Sequence, residues 1–212
     1  SVALALVLAT AAGFTQAQEA YDNVVVVVDA SGSMKGMMPA SAMDKMTAAK
    51  RALKEVLRLV PQSTRLGLLV FSAEGLTNDW VHPLGPRNDA ELMKAIDSLR
   101  PFAGTPLGQY IKQGADRLLE ERTKQFGYGT FRLLVVTDGE AQDQALVDRY
   151  TPDVIARGIT VDVIGVAMKQ NHTLARRVHS YRAANDPAAL KRALTEVFAE
   201  VGGSGTDVAG AE

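Results

Sequence analysis

A chain of 212 residues, 47% apolar and 22% charged, has the proportions of one globular domain with a sizeable core. Its 23 basic and 24 acidic side chains nearly cancel, so no overall field favours nucleic acid or an anionic membrane. The absence of cysteine excludes a disulfide framework, a thiolate zinc site and a cysteine nucleophile.

Residues 2–14 are almost entirely apolar, and Thr15-Gln16-Ala17 supplies the small residues of a cleavage site. Residues 1–17 therefore read as the remnant of a secretory signal peptide, and the protein as exported, periplasmic or secreted. The run is shorter than the roughly 20 residues that cross a bilayer. The alternative is the back half of an uncleaved anchor, a membrane tether through the N-terminal segment. The domain is expected over residues 18–201. Residues 202–212, opening with Gly202-Gly203-Ser204-Gly205, read as a flexible tail or linker.

Residues 23–28 end in five consecutive valines, a pattern suited to a strand covered on both faces of a parallel sheet. Ala49, Ala52, Leu53, Val56, Leu57 and Val60 then recur at helical spacing until Pro61, with Lys50, Arg51, Lys54 and Arg58 on a solvated face. A strand follows at 66–71, Trp80 lies on an edge segment, and a short helix is expected over 89–99. Pro106 sits at the first position of a helix running to about 121, with Thr105 as its N-cap. Strands at 131–136 and, interrupted by Asp162 and Gly165, at 161–166 flank a helix at 145–157 in which Pro152 is a candidate break. Residues 187–201 close the domain as a helix capped by Asp186. Alternating strands and helices predict an α/β fold: a doubly wound, open, mostly parallel sheet with helices on both faces. Ligands of such sheets sit beyond the carboxyl ends of the strands.

Those ends carry oxygen. Asp29-Ala30-Ser31-Gly32-Ser33 follows the valine strand, and Thr137-Asp138-Gly139-Glu140 follows the strand at 131–136. Thr105 adds a hydroxyl at a helix start. The set Asp29, Ser31, Ser33, Thr105 and Asp138 consists of hard donors, which select Mg²⁺, or Mn²⁺ or Ca²⁺, over zinc or copper. With few charged ligands the ion would keep an open position for an incoming Glu or Asp carboxylate.

Asp29-x-Ser31-x-Ser33, then Thr105, then Asp138, resembles the metal-ion-dependent adhesion site (MIDAS) of the von Willebrand factor type A (VWA) family. Gly104-Thr-Pro-Leu-Gly108 and Leu134-Val-Val-Thr-Asp-Gly139 are similar to its bacterial members, and the likeness covers about residues 21–201. The resemblance implies direct ligation by Ser31 and Ser33, direct or water-mediated ligation by Thr105, and contacts through water from Asp29 and Asp138. It implies an adhesion module binding a protein or peptide ligand that presents a carboxylate. One departure is the methionine-rich stretch beside the site. Met34, Met37 and Met38, with Glu140, are candidate partner contacts, although the methionines can equally pack beneath the loop.

Rival readings are weaker. A haloacid-dehalogenase-like phosphotransferase needs a carboxylate two residues after Asp29, where this chain has Ser31. No histidine accompanies Ser31 or Ser33 in a nucleophile–base pattern, and both Gly-rich nucleotide motifs are missing. No enzymatic turnover is expected. A structural or assembly subunit of a larger envelope complex, with a structural metal, is the other alternative.

Overall fold

The structure, a computed structural model, describes residues 20–39, 41–168 and 172–202. Residues 1–17, where a signal-peptide remnant is expected, and nearly all of the expected tail at 202–212 lie outside them. Strand β1 (Asp22–Asp29) is followed by a 3-10 turn (Gly32–Lys35), α1 (Lys45–Leu57), β2 (Arg65–Phe71), β3 (Trp80–Gly85), α2 (Asp89–Ser98) and α3 (Leu107–Lys124). Then come β4 (Thr130–Thr137), α4 (Gln144–Ala156), β5 (Thr160–Val166), a second 3-10 turn (Thr173–Arg176), β6 (Ser180–Ala184) and α5 (Pro187–Gly202).

The six strands lie in the order β3-β2-β1-β4-β5-β6, parallel throughout except for β3, which runs antiparallel to β2. The valines of β1 explain its central place. Val24, Val26 and Val28 face one core with α1, α2 and α5, while Val25 and Val27 face the other with α3 and α4. β1 can take this place because no polar side chain interrupts the run. Pro83 is tolerated in β3 because an edge strand needs fewer ladder donors. Asp162, an interruption in β5, is buried but held by Arg132 Nη1 at 2.6 Å and by the Ser180 hydroxyl. Among the described residues no helix is long and apolar enough to cross a membrane.

Three local expectations are corrected. α4 runs through Pro152 without a break: this proline is exposed near the helix end, where the carbonyl it leaves unpaired can turn to water. Thr105 is not the cap of α3. Pro106 holds the cap position, and the first free N–H groups, of Gly108 and Gln109, donate to the two oxygens of Asp143 at 2.9 Å each. A carboxylate from a distant loop neutralises the positive end of that helix. Met34 and Met38 are fully buried in the α1-side core and cannot touch a partner; only Met37 of the three is exposed. Asp186 does cap α5, accepting from Ala189 N at 2.8 Å.

Candidate metal centre

β1 and β4 are neighbours in register, with Val28 beside Val136, so their carboxyl ends deliver Asp29 and Thr137-Asp138 to one edge. Beyond Asp29 the chain turns through Gly32, which packs against the segment following α2. Gly32 N donates to Ala103 O at 2.9 Å and Phe102 N to Ala30 O at 2.9 Å. A Cβ on Gly32 would stand 2.8 Å from the Phe102 carbonyl oxygen, so only glycine permits this approach. From the other side Gln142 N donates to Thr105 O at 2.9 Å. Loops after β1, before α3 and after β4 are thus stitched together by backbone bonds.

Within that frame the oxygens form a chain. Asp29, fully buried, accepts Ser31 N on Oδ1 at 2.8 Å and Thr137 Oγ1 on Oδ2 at 2.6 Å. Ser33 Oγ donates to Asp138 Oδ1 at 2.7 Å, and Ser31 Oγ lies 2.9 Å from Ser33 Oγ. Burial pushes the Asp29 carboxyl above the ordinary carboxylate range and the Asp138 charge adds to this, against the hydrogen bonds from Ser31 and Thr137. The structure brings Asp29, Ser31, Ser33 and Asp138 into one network. Thr105 is buried, its carbonyl tied to Gln142 N, and its hydroxyl makes no hydrogen bond with any described residue.

Two participants escaped the sequence reading. Thr137 clamps Asp29, and it stands in the very stretch that supplies Asp138. Lys45, the first residue of α1, reaches Asp138 Oδ2 with its Nζ at 2.6 Å and is itself mostly buried. No sequence signal marks it, because the contact depends on how α1 lies across the edge.

The donor set fits a small divalent cation. Ligands at the roughly 2.1 Å of an octahedral Mg²⁺ shell are separated by about 3.0 Å along an edge. The Ser31–Ser33 and Ser33–Asp138 spacings of 2.9 and 2.7 Å are close to that. Among the described residues no cluster of three or more His, Cys, Asp or Glu side chains exists, so an ion here must rely on hydroxyls. Glu140 points elsewhere, accepting Thr173 N at 3.0 Å and Thr173 Oγ1 at 2.9 Å. His82 contacts the Leu66 carbonyl oxygen at 3.2 Å through Nδ1, and buried His172 accepts Leu174 N at 3.0 Å.

A sequence profile of the von Willebrand factor type A domain matches residues 23–196. The chain belongs to this family. Among relatives, this VWA domain is 23% identical over 161 residues to YwmC, an uncharacterized protein of Bacillus subtilis, covering 71% of this chain and 68% of that one. Among solved structures it resembles a von Willebrand factor type A protein of Catenulispora acidiphila, with a TM-score of 0.68, 22% identity and coverage of 85% and 43% of the two chains. Proximal thread matrix protein 1 of the mussel byssus follows at a TM-score of 0.64 and 16% identity, covering 87% and 47%. The D319A mutant of the PilB minor pilin of Streptococcus sanguinis gives 0.62 and 14%, covering 88% and 62%. This VWA domain spans less than two thirds of each of these structures, and at such identities the likeness shows the fold. A further structure of the mussel protein, with a TM-score of 0.58 and 17% identity, has zinc in its MIDAS motif.

Proposed function

We propose that this VWA domain is an exported, cation-dependent recognition module that binds an acidic protein or peptide through a divalent ion. The reading rests on one observation: Ser31 Oγ and Ser33 Oγ lie 2.9 Å apart, spaced like neighbouring ligands of one ion, with Asp138 Oδ1 hydrogen-bonded to Ser33 beside them. Ser31 and Ser33 are the direct ligands, Thr105 offers its uncommitted hydroxyl, and Asp29 and Asp138 act through water. The ion would supply a Lewis-acidic position completed by a Glu or Asp carboxylate. Asp29, held from both sides, orients the Ser31 backbone rather than ligating. The hard donors favour Mg²⁺, Mn²⁺ or Ca²⁺, and the zinc in the mussel protein makes zinc a necessary comparison.

The surroundings suit an acidic partner. A cleft of about 520 Å³ beside the 3-10 turn is lined by three cations, Lys35, Lys50 and Arg100, against two carboxylates, Asp44 and Glu74, with Met37 among its apolar residues. Exposed Phe102 follows Pro101. Turnover forms no part of the reading: among the described residues no histidine is hydrogen-bonded to Ser31 or Ser33.

Calorimetric titration with Mg²⁺, Mn²⁺, Ca²⁺ and Zn²⁺ tests the assignment. Ser31→Ala with Ser33→Ala, which removes two direct ligands, should weaken binding by at least roughly 100-fold, and Asp29→Ala by about 10–100-fold as an outer-shell change. Unchanged affinity in both variants would place the ion elsewhere. A structural or assembly role is the second reading, favoured by Lys45, whose ammonium already neutralises Asp138. Chelation separates the two. Removing a recognition ion lowers the melting transition only by the few degrees of its own binding linkage while partner binding is lost; removing a structural ion unfolds the domain.

A further inference from the structure

The loop joining α3 to β4 lies at the amino end of the sheet, opposite the metal centre. It displays Phe126 and Tyr128, 77% and 60% exposed. Phe126 holds a φ of 53°, a left-handed conformation that glycine or asparagine would adopt with less strain. The fold gains nothing from an aromatic ring there. Nor is the loop loose: Gly127 N donates to Arg122 O at 2.9 Å and Tyr128 N to Gln125 O at 3.0 Å. Gln125, buried beneath, donates to Asn23 Oδ1 at 2.9 Å. Two rings are presented outward on a fixed platform.

The chain enters the domain at this same loop. Thr130 N donates to Tyr21 O at 3.3 Å, Tyr21 N to Gln125 Oε1 at 3.4 Å, and Gly129 packs so closely that a Cβ would lie 2.2 Å from Tyr21 O. The apolar run at 2–14 ends seven residues before Tyr21. Across the sheet at the same end, α1 finishes beside Leu59, 72% exposed.

Around this loop four cations, Arg58, Arg65, Arg122 and Lys124, outnumber two carboxylates, Glu121 and Asp22, the latter accepting Thr130 Oγ1 at 2.6 Å. Glu121, almost fully buried, is shared by Arg65 at 2.8 Å and Lys124 at 3.3 Å, two cations on one carboxylate. Arg122 is bound to the Arg157 carbonyl rather than to an acid, and Arg58 beside Leu59 has no carboxylate partner among the described residues. Aromatic rings flanked by Lys and Arg are the composition of a membrane–water interface.

We propose that this end of the domain rests on an anionic lipid surface. Phe126 and Tyr128 enter the headgroup layer, Arg58, Arg122 and Lys124 meet the headgroups, and the metal centre faces away from the bilayer. The proposal does not depend on the metal assignment.

The cysteine-free chain allows a clean test. Thr123→Cys, beside the loop, and Lys35→Cys, at the metal end, each carry an environment-sensitive fluorophore in the full 212-residue chain. The probes meet vesicles of phosphatidylcholine with and without phosphatidylglycerol. The expected result is a blue shift at position 123 alone, stronger with phosphatidylglycerol. Phe126→Ser with Tyr128→Ser should abolish it while the far-ultraviolet spectrum is unchanged. Lys124→Glu should weaken partitioning roughly tenfold or more. The proposal is overturned if position 123 never shifts, even where vesicles retain the chain through its apolar run. It is equally overturned by a shift that survives in the serine double variant, as when a protein rather than lipid covers the loop, or by a shift at position 35 alone.

Discussion

The two ends of β4 carry loops of opposite construction. After the strand, residues 137–143 turn their side chains inward. Thr137 clamps Asp29, Asp138 takes Ser33 and Lys45, Glu140 takes Thr173, and Asp143 caps α3. Before the strand, residues 125–129 fix their backbone through Gln125 and send Phe126 and Tyr128 outward. Polar side chains committed to internal partners shape a small concave site. Apolar side chains denied internal partners shape a surface for something large. On the two proposals above, the same strand separates an end that would hold a point charge from an end that would meet an extended surface.

Several variants break or sharpen this contrast. The largest stability loss belongs to Asn23→Ala. Asn23 donates to the Tyr21 and Thr130 carbonyls at 2.8 and 3.1 Å and is fully buried. Its removal should lower unfolding free energy by about 3 kcal/mol or more, since several buried groups at about 1–3 kcal/mol each lose partners. Denaturant titration checks this, and cation affinity should stay within error. A parallel fall in affinity would mean that the two ends are not separable. Thr137→Val should do the converse, weakening cation binding about 10–100-fold through a misoriented Asp29 while altering stability far less. Asp143→Ala leaves the first N–H groups of α3 to water and should cost about 1–2 kcal/mol by the same denaturant measurement.

Lys45→Met should tighten cation binding about tenfold, or ~1.4 kcal/mol, because a competing positive charge leaves Asp138. Weaker binding in calorimetry would instead make Lys45 a support for the site. The smallest effect is a pH dependence. Burial holds His172 below its ordinary pKa, against the Glu140 charge and the Gly139 carbonyl, so the fold favours the neutral ring. A depressed folded pKa stabilises above the unfolded value of about 6.5 and is lost as pH falls from there towards the folded value. Stability should decline over that interval in the wild type. The decline should be shallower in His172→Asn, whose side chain can still accept from residue 174. Equal slopes in both would assign the decline to another group.

Much of the fold was legible because its signals are local. The valines of β1 announce a central parallel strand, and Asp29, Ser31, Ser33 and Asp138 stand directly after strands, where the topology must gather them. What escaped was tertiary. β6 is a short edge strand of Ser180, Tyr181, Arg182 and two alanines, with no apolar run to mark it. Asp143 caps a helix starting 36 residues earlier, so Thr105, the nearer candidate, was the wrong choice. Met34 and Met38 allow both a surface and a packed reading in one dimension; the fold chooses packing, with Met34 turned inward by the 3-10 turn and Met38 buried in the same core. Lys45 was invisible because a long side chain can reach many places, and only the packing of α1 selects one.

That lysine gives the centre a resident placeholder. With Nζ on Asp138, part of the negative charge is already screened, so the loops can hold their shape before any ion arrives. On the proposed reading, loading would be a swap: an incoming dication would draw on a carboxylate that the ammonium already occupies. The net gain in local charge is smaller than the ion's own, and the swap is reversible wherever the lysine stays within reach. Such a centre resists collapse in ion-poor surroundings and would fill in proportion to the ion supply around it.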